Sequence, residues 1–159
     1  MAVVELLLSP LASHVRTARL VSVTAARRAG LVDELVDELR LAVGEACSRA
    51  VGLHTRHGIE APVRVRIEDG AAGLIVVVMD AGPPAGPLPD DVSAGIVDGG
   101  DLAAIGDDDL VDPDVALALL IGLVDTATVE PGPHGTTVTL RWPLPQPARG
   151  PGTSQVSRA

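Results

Sequence analysis

Apolar side chains recur at intervals of three and four residues along one long segment between Leu35 and Leu53. This spacing places them on one face of an α-helix, which predicts an amphipathic helix from about Asp33 to His57. At 159 residues, the chain suits a single domain with one compact core. The predicted apolar stripe consists of Leu35, Leu39, Ala42, Val43, Ala46, Ala50 and Leu53.

Ahead of the long helix, the sequence predicts a strand and a second helix. The strand covers residues 2–8, and the pair Ser9 and Pro10 after it is typical of a helix start, with a side-chain cap followed by a residue already at helical φ. The helix is expected to run to about Ala29, where Gly30 can end it in the left-handed conformation.

Two antiparallel hairpins are predicted after the long helix. Residues 63–68 alternate apolar and charged side chains, which indicates a strand with one wet face, and residues 74–79 are continuously apolar, as in a buried strand. A turn at 69–73 joins them. Residues 126–130 and 136–142 are the second pair, joined by a turn rich in proline and glycine.

An acidic segment separates the two hairpins. Ten aspartates and no basic residue occur between Asp80 and Asp114, where the sequence predicts a long surface loop with a short helix near residues 101–105. A third helix is predicted at 113–124. The domain is expected to end at residue 143, and residues 144–159, rich in Pro, Gly and Ser, are expected to be disordered.

The charge and composition exclude several classes of protein. The net charge is −9, all twelve basic residues are arginine, and Trp142 is the only aromatic residue, so neutralisation of phosphates and stacking on bases are both disfavoured and no nucleic-acid partner is expected. No apolar run reaches the length of a membrane span, and no signal peptide is indicated. The expected compartment is the cytoplasm, and the composition fits a GC-rich, actinobacterial genome.

Cysteine and histidine offer little for redox or metal chemistry. Cys47 is predicted to be a small buried residue, since the alternative of a redox thiol lacks a second cysteine. His54 and His57 are three residues apart near the end of the long helix and could form a weak metal pair. No third ligand accompanies them, so we expect no metal site.

Three short motifs occupy defined places in the predicted elements. Glu45 is followed four residues later by Arg49, so both lie on one face of the long helix. The buried strand runs directly into Asp80, with Gly82 two residues later, a pattern that alone usually marks a turn. A Gly-Thr-Thr sequence at 135–137 enters the last strand, as in an ordinary hairpin.

These motifs and the order of elements resemble the anti-sigma factor serine/threonine kinase family over residues 2–143. The resemblance implies the GHKL, or histidine-kinase-like, ATPase fold. This is an α/β two-layer sandwich of the α+β class, in which helices cover one face of a mostly antiparallel sheet. It also implies that residues 80–114 correspond to the lid that closes over ATP.

The resemblance assigns roles to individual residues. Glu45 matches the catalytic glutamate that polarises the attacking hydroxyl or water. Asp80 matches the aspartate that accepts a hydrogen bond from adenine, Gly82 lets the backbone approach the base, and Thr136 and Thr137 line the adenine side of the pocket. At Pro84 a proline replaces the second glycine of the adenine-binding motif, and Asp114 and Ala116 stand where lid glycines are expected.

Arg49 departs most from the family pattern, because the family has at this position an asparagine that ligates Mg²⁺. A guanidinium has only donors and cannot ligate a cation, so Mg²⁺ is not expected and ATP binding is doubtful. Three outcomes remain open: Arg49 pairs with Glu45 across one turn, it reaches a phosphate and replaces the metal charge, or it forms a simple ion pair on the helix surface.

By resemblance, the chain is an anti-sigma-factor-like regulator that works by partner switching. It would bind a sigma factor, a STAS-domain anti-anti-sigma factor, or both, and could dimerise through its sheet. One alternative is an active ATP-dependent serine kinase that uses Glu45, and another is a nucleotide or metabolite sensor without hydrolysis. The partner surface is expected on the first helix, at Arg16, Arg19, Leu20, Val23 and Arg27.

Overall fold

The computed structural model describes residues 1–83, 124 and 126–145. Seven elements follow one another along these residues: β1 (Ala2–Leu8), α1 (Ala12–Ala29), α2 (Asp33–Arg56), β2 (Val63–Gly70), β3 (Gly73–Met79), β4 (Ala127–Gly132) and β5 (Gly135–Trp142). The helices predicted at 101–105 and 113–124, and the acidic segment beyond residue 83, lie outside the described residues, except for the buried Val124. Leu144, the first residue of the expected tail, still packs against the core.

The five strands form one antiparallel sheet in the order β1-β2-β3-β5-β4, with β3 at its centre. The register places Val65 opposite Val78, and Val78 opposite Val138, so the buried side chains of three strands share one face. Helices α1 and α2 pack on that face. The two-layer α+β architecture predicted from the sequence is therefore confirmed.

The core forms between α2 and the central strands. Leu39 and Val43 are fully buried over a sheet face that presents residues such as Val76 and Leu140. Each such side chain contributes about 1.5–3 kcal/mol through burial. The stripe differs from the prediction in its first turn, where Leu35 is half-buried and the neighbouring Val36 takes the core position.

Helix α1 ends as predicted and begins later than predicted. Gly30 closes it in the left-handed conformation, with φ of 85°. At the other end, the expected cap at Ser9 is wrong: the Leu11 N–H donates to the Ser9 carbonyl at 2.6 Å in a tight turn, and the helix begins at Ala12 without a side-chain cap. Neither α1 nor α2 is apolar enough over its length to cross a membrane.

The opposite face of the sheet is not covered by α1 or α2. Alternation along β2 leaves Arg64 and Arg66 exposed on this face, while Val77 and Met79 of β3 are half-buried beside them. Leu7 of the edge strand β1 is exposed in the same row, opposite Arg64. This face therefore combines an apolar centre with a partly basic flank.

Candidate functional site

The predicted site residues converge where α2, the end of β3 and the start of β5 meet. Arg49 lies on the buried side of α2, Asp80 directly follows β3, and Thr136 is the second residue of β5. The antiparallel pairing of β3 with β5 brings Asp80 beside Thr136, because Met79 lies opposite Thr137 in the register. The sequence motifs thus meet at one corner of the sheet.

A buried ion pair occupies the centre of this corner. Arg49 Nη1 donates to Asp80 Oδ2 at 2.9 Å, and both side chains are only 2% exposed. The expectations that Arg49 pairs with Glu45, or that it forms a surface ion pair, are therefore wrong: this arginine points into the site towards the end of β3. Removing one partner of such a buried pair costs about 3–5 kcal/mol, because the other charge is left uncompensated.

The second oxygen of the Asp80 carboxylate fixes the backbone around it. Oδ1 accepts hydrogen bonds from the amides of Gly82, at 2.9 Å, and Thr136, at 3.2 Å. The Asp80 N–H in turn donates to the Thr136 carbonyl at 3.0 Å. An ionised carboxylate only accepts, so donors from α2, from the turn after β3 and from β5 all converge on this side chain.

Gly135 allows the last hairpin to approach this close. Its φ is +141°, and a Cβ atom at this position would overlap the carbonyl oxygen of Asp80. Any other residue would force the turn away from the carboxylate. The Gly-Thr-Thr sequence therefore serves a local packing need that exists without any ligand.

The two threonines after Gly135 point in opposite directions. Thr136 is 1% exposed, and its Oγ1 has no hydrogen-bond partner in the described part of the chain. Thr137 lies opposite Met79 on the uncovered face, because successive strand residues alternate between faces. The structure thus brings Thr136, and not Thr137, into the site.

Glu45 stands one helical turn before Arg49 and is half-buried. Within the described residues it makes no hydrogen bond or ion pair, whereas Arg49 is engaged. The glutamate is therefore not neutralised by its neighbour on α2.

His54 is a site residue that the sequence analysis missed. It is fully buried, its Nδ1 lies 2.8 Å from the Ala61 carbonyl, and its Nε2 accepts the Ala81 N–H at 2.8 Å. His54 therefore holds the turn that follows Asp80 from the side of α2. The signal was its position four residues after Ala50, on the apolar stripe of α2.

The metal pair considered for His54 is not formed. Both of its ring nitrogens face backbone groups, and His57 is exposed at the end of α2. Over the described residues, no group of three metal-ligating side chains comes together.

The predicted partner residues of α1 divide into two sets. Arg16, Leu20 and Arg27 are exposed. Arg19 is half-buried and its guanidinium lies against Gly44 of α2, while Val23 is buried in the core. The helical spacing placed these five residues together, but only three of them form an outer surface.

A largely apolar cleft of about 280 Å³ opens beside Leu20, between α1 and the first strands. Arg28 and Asp69 are the charged residues among those that line it. Its other lining residues are Ala2, Val4, Val21, Thr24, Ala25, Ile67 and Leu74.

The residues of the corner do not fit Mg²⁺ as the family pattern requires. Arg49 offers no oxygen to a metal ion, and its guanidinium donates to the carboxylate oxygen of Asp80 that faces α2. Glu45 is a half-buried carboxylate on the same helix, and no group of metal-ligating side chains stands beside it among the described residues.

Comparison with known proteins places the chain in a family. Its structure is similar to the RsbU and RsbW domains of Rv1364c from Mycobacterium tuberculosis, with a TM-score of 0.63 and 19% identity over 94% of this chain. The chain spans only 34% of that longer protein. No curated protein sequence matches it. The histidine kinase-like ATPase domain family matches residues 8–142, and the chain belongs to this family.

Proposed function

We propose that this protein is a non-catalytic, anti-sigma-factor-like regulator that acts by partner switching in the cytoplasm. Its partners would be a sigma factor, a STAS-domain anti-anti-sigma factor, or both. The observation that carries this proposal is the buried pair of Arg49 with Asp80. It puts a guanidinium where a metal ligand is expected, and it engages the carboxylate that is expected to bind adenine. A domain that keeps its fold but loses its ligand chemistry retains its surfaces for binding other proteins.

The chemistry of the site supports a binding function over phosphoryl transfer. Catalysis of phosphoryl transfer depends on a metal ion that neutralises the charge developing on the phosphates. The guanidinium of Arg49 cannot hold such an ion, and Asp80 is committed to Arg49 and to two backbone amides. A nucleobase that donates to Asp80 would have to share its carboxylate with a buried guanidinium and two backbone amides.

The outer surface of α1 supports a protein partner. Arg16, Arg27 and Arg28 are exposed on this helix, which contains no acidic residue although the chain carries a net charge of −9. Leu20 is 59% exposed between these charges, next to the apolar cleft. A partner with acidic side chains around an apolar one would match this surface.

The uncovered face of the sheet suits a second copy of the chain. Val77 and Met79 form an apolar strip along its centre, beside Arg64 and Arg66 of β2. We propose that a homodimer uses this face.

Calorimetric titration with ATP, with and without Mg²⁺, tests the loss of nucleotide use. No heat in either condition is the expected result. Micromolar binding that depends on Mg²⁺ would contradict the proposal and favour the active kinase, for which the specific structural argument is that Glu45 is not paired with Arg49. In that case Glu45→Ala should abolish phosphorylation of a STAS protein. Binding of ATP without phosphoryl transfer would indicate a nucleotide sensor that does not hydrolyse its ligand.

Direct binding to purified sigma factors and STAS proteins tests the partner assignment. The double substitution Arg16→Glu with Arg27→Glu should weaken binding at least tenfold, since it reverses the charge of the proposed surface. Arg40→Glu is the matched control, because Arg40 is an exposed arginine on the other helix, α2. Equal losses in both variants, or no binding by the wild type, would refute the assignment.

A further inference from the structure

The corner around Asp80 joins three segments that are distant in sequence. Arg49 comes from α2, Gly82 from the turn after β3, and Thr136 from the last hairpin, and each donates to the same carboxylate. Two of these donors are backbone amides, which any sequence could supply. The third is a side chain, so the cationic partner of this buried carboxylate depends on the residue at position 49.

We propose that Arg49 is an internal occupant of the site. Its guanidinium takes the place of an external ligand's donor group at Asp80, and it balances the buried charge of that carboxylate without any ligand. This inference rests on the proposed function for its regulatory consequence: partner binding does not respond to nucleotide, because the part of the site that would respond is already filled.

The chemistry of the pair favours a permanent contact over a transient one. Both side chains are 2% exposed, so opening the contact would leave two charges in a poorly hydrated interior. A guanidinium is the most weakly hydrated cationic side chain and is planar, which suits it to a carboxylate in a confined space. Lysine would present a smaller, more strongly hydrated charge at the same point.

The neighbouring groups keep the carboxylate in place for this contact. His54 supports the Ala81 amide from the α2 side, and Gly135 allows the hairpin to pack directly on the Asp80 backbone. Asp80 is therefore fixed independently of Arg49. Removing the arginine should leave an anionic pocket whose remaining walls keep their shape.

Chemical rescue of Arg49→Ala tests this occupancy. The variant should lose about 10 °C in Tm, since one charge of a buried pair is removed. Methylguanidinium at tens of millimolar should restore at least about 3 °C of that loss, because it binds only the folded variant. Neither the wild type nor the control Arg40→Ala should gain stability from it, and tetramethylammonium, which has no N–H donor, should have no effect.

Two results would overturn the inference. One is a wild-type Tm for Arg49→Ala, which would mean that the pair of Arg49 with Asp80 does not stabilise the fold. The other is a methylguanidinium effect of the same size in Arg49→Ala and Arg40→Ala, which would mean that the cation does not enter the site.

A second pair of variants covers the case in which Arg49→Ala does not fold. Arg49→Met leaves Asp80 charged and unpaired, whereas Arg49→Met combined with Asp80→Asn leaves no buried charge. The double variant should be the more stable of the two by at least about 5 °C. A double variant that is no more stable than Arg49→Met would refute the occupancy.

Partner binding is measured separately on the wild type. A wild type that binds neither a sigma factor nor a STAS protein would refute the proposed function and leave the rescue result standing. Conversely, loss of the rescue effect would refute the internal occupant and leave a measured partner affinity standing.

Discussion

Nε2 of His54 lies 2.8 Å from the amide nitrogen of Ala81. Because an amide nitrogen can only donate, the ring accepts at Nε2 and carries its proton on Nδ1, which then donates to the Ala61 carbonyl at 2.8 Å. A single neutral tautomer therefore satisfies two backbone groups from one buried side chain. The turn that presents Asp80 depends on this tautomer for support.

Replacement of His54 should loosen that turn. We expect His54→Phe to lower the free energy of unfolding by about 1–3 kcal/mol, since the ring shape is kept while both hydrogen bonds are lost. Urea denaturation measures the loss. In the wild type, nitrogen NMR of the imidazole should show the Nδ1–H tautomer; the Nε2–H tautomer would contradict the hydrogen-bond assignment. Substitution of the exposed His57 by Phe is the control and should change stability by less than about 0.5 kcal/mol.

Arg19 and Gly44 should show coupled effects on stability. A methyl group at Gly44 would overlap the Arg19 guanidinium, although alanine is the better helix former by about 1 kcal/mol. Gly44→Ala should therefore stabilise an Arg19→Met background by about 1 kcal/mol and stabilise the wild type by less. Thermal or urea unfolding of the four variants gives the coupling energy. Equal gains in both backgrounds would show that the guanidinium does not lie against this helix.

Cys47 should be unreactive in the folded protein. Burial raises the pKa of its thiol from 9.0 to about 12, partly opposed by the positive charge of Arg19. The thiolate is the reactive form, so a disulfide reagent at pH 8 should label Cys47 only after urea unfolds the chain. Rapid labelling without urea would contradict its burial. The prediction from sequence of a small buried residue is confirmed.

The same raised pKa should make stability fall in alkali. The thiol ionises in the unfolded chain above pH 9 but stays protonated in the folded chain to about 12, so its contribution is complete below pH 9 and is lost as the pH rises towards 12. The loss is about 1.4 kcal/mol per pH unit within this window. Urea midpoints of the wild type and Cys47→Ala at several pH values measure it, and parallel curves would refute the prediction.

Trp142 reports on the contact between the last strand and α2. Its indole Nε1 donates to Glu38 Oε1 at 2.9 Å, and the ring is buried. Glu38→Leu should destabilise the fold by about 1.5–3 kcal/mol through loss of a hydrogen bond to a charged acceptor. Glu38→Gln keeps an acceptor oxygen and should lose less. The fluorescence of this single tryptophan follows the unfolding of each variant, and equal stabilities for Leu and Gln would contradict the bond.

Local patterns in the sequence were enough to predict most of the fold. The period of the apolar residues on α2, the alternation on β2 and the position of Gly30 each depend on neighbours in the chain, and the structure confirms all three. The start of α1 was predicted wrongly because Ser9 uses its carbonyl in a turn to Leu11, which no spacing rule distinguishes from a cap.

The partner of Arg49 could not be predicted from spacing. The nearest acidic residue on the same helix face is Glu45, four residues away, whereas the actual partner is Asp80, 31 residues away. The pairing depends on how β3 is placed under α2, which is a property of the whole sheet. The same limit applies to Val23, whose helical spacing matches Arg16 and Leu20 but whose side chain faces the core.

The strand order of the sheet has a consequence for how the chain folds. Only residues 71 and 72 separate the paired Gly70 and Gly73, so the hairpin of β2 and β3 closes a minimal loop. β1 must instead find Asp69 from Ala2, across two helices. β5 pairs with β3 across a similar separation, as Leu74 with Trp142. Since distant pairings cost more chain entropy before they are rewarded, we expect the hairpin to form early and both β1 and β5 to dock after it. Pulse-labelled hydrogen exchange should then protect the amides that join β2 to β3 before those of β1, so during synthesis the sheet would grow outward in both directions from this hairpin.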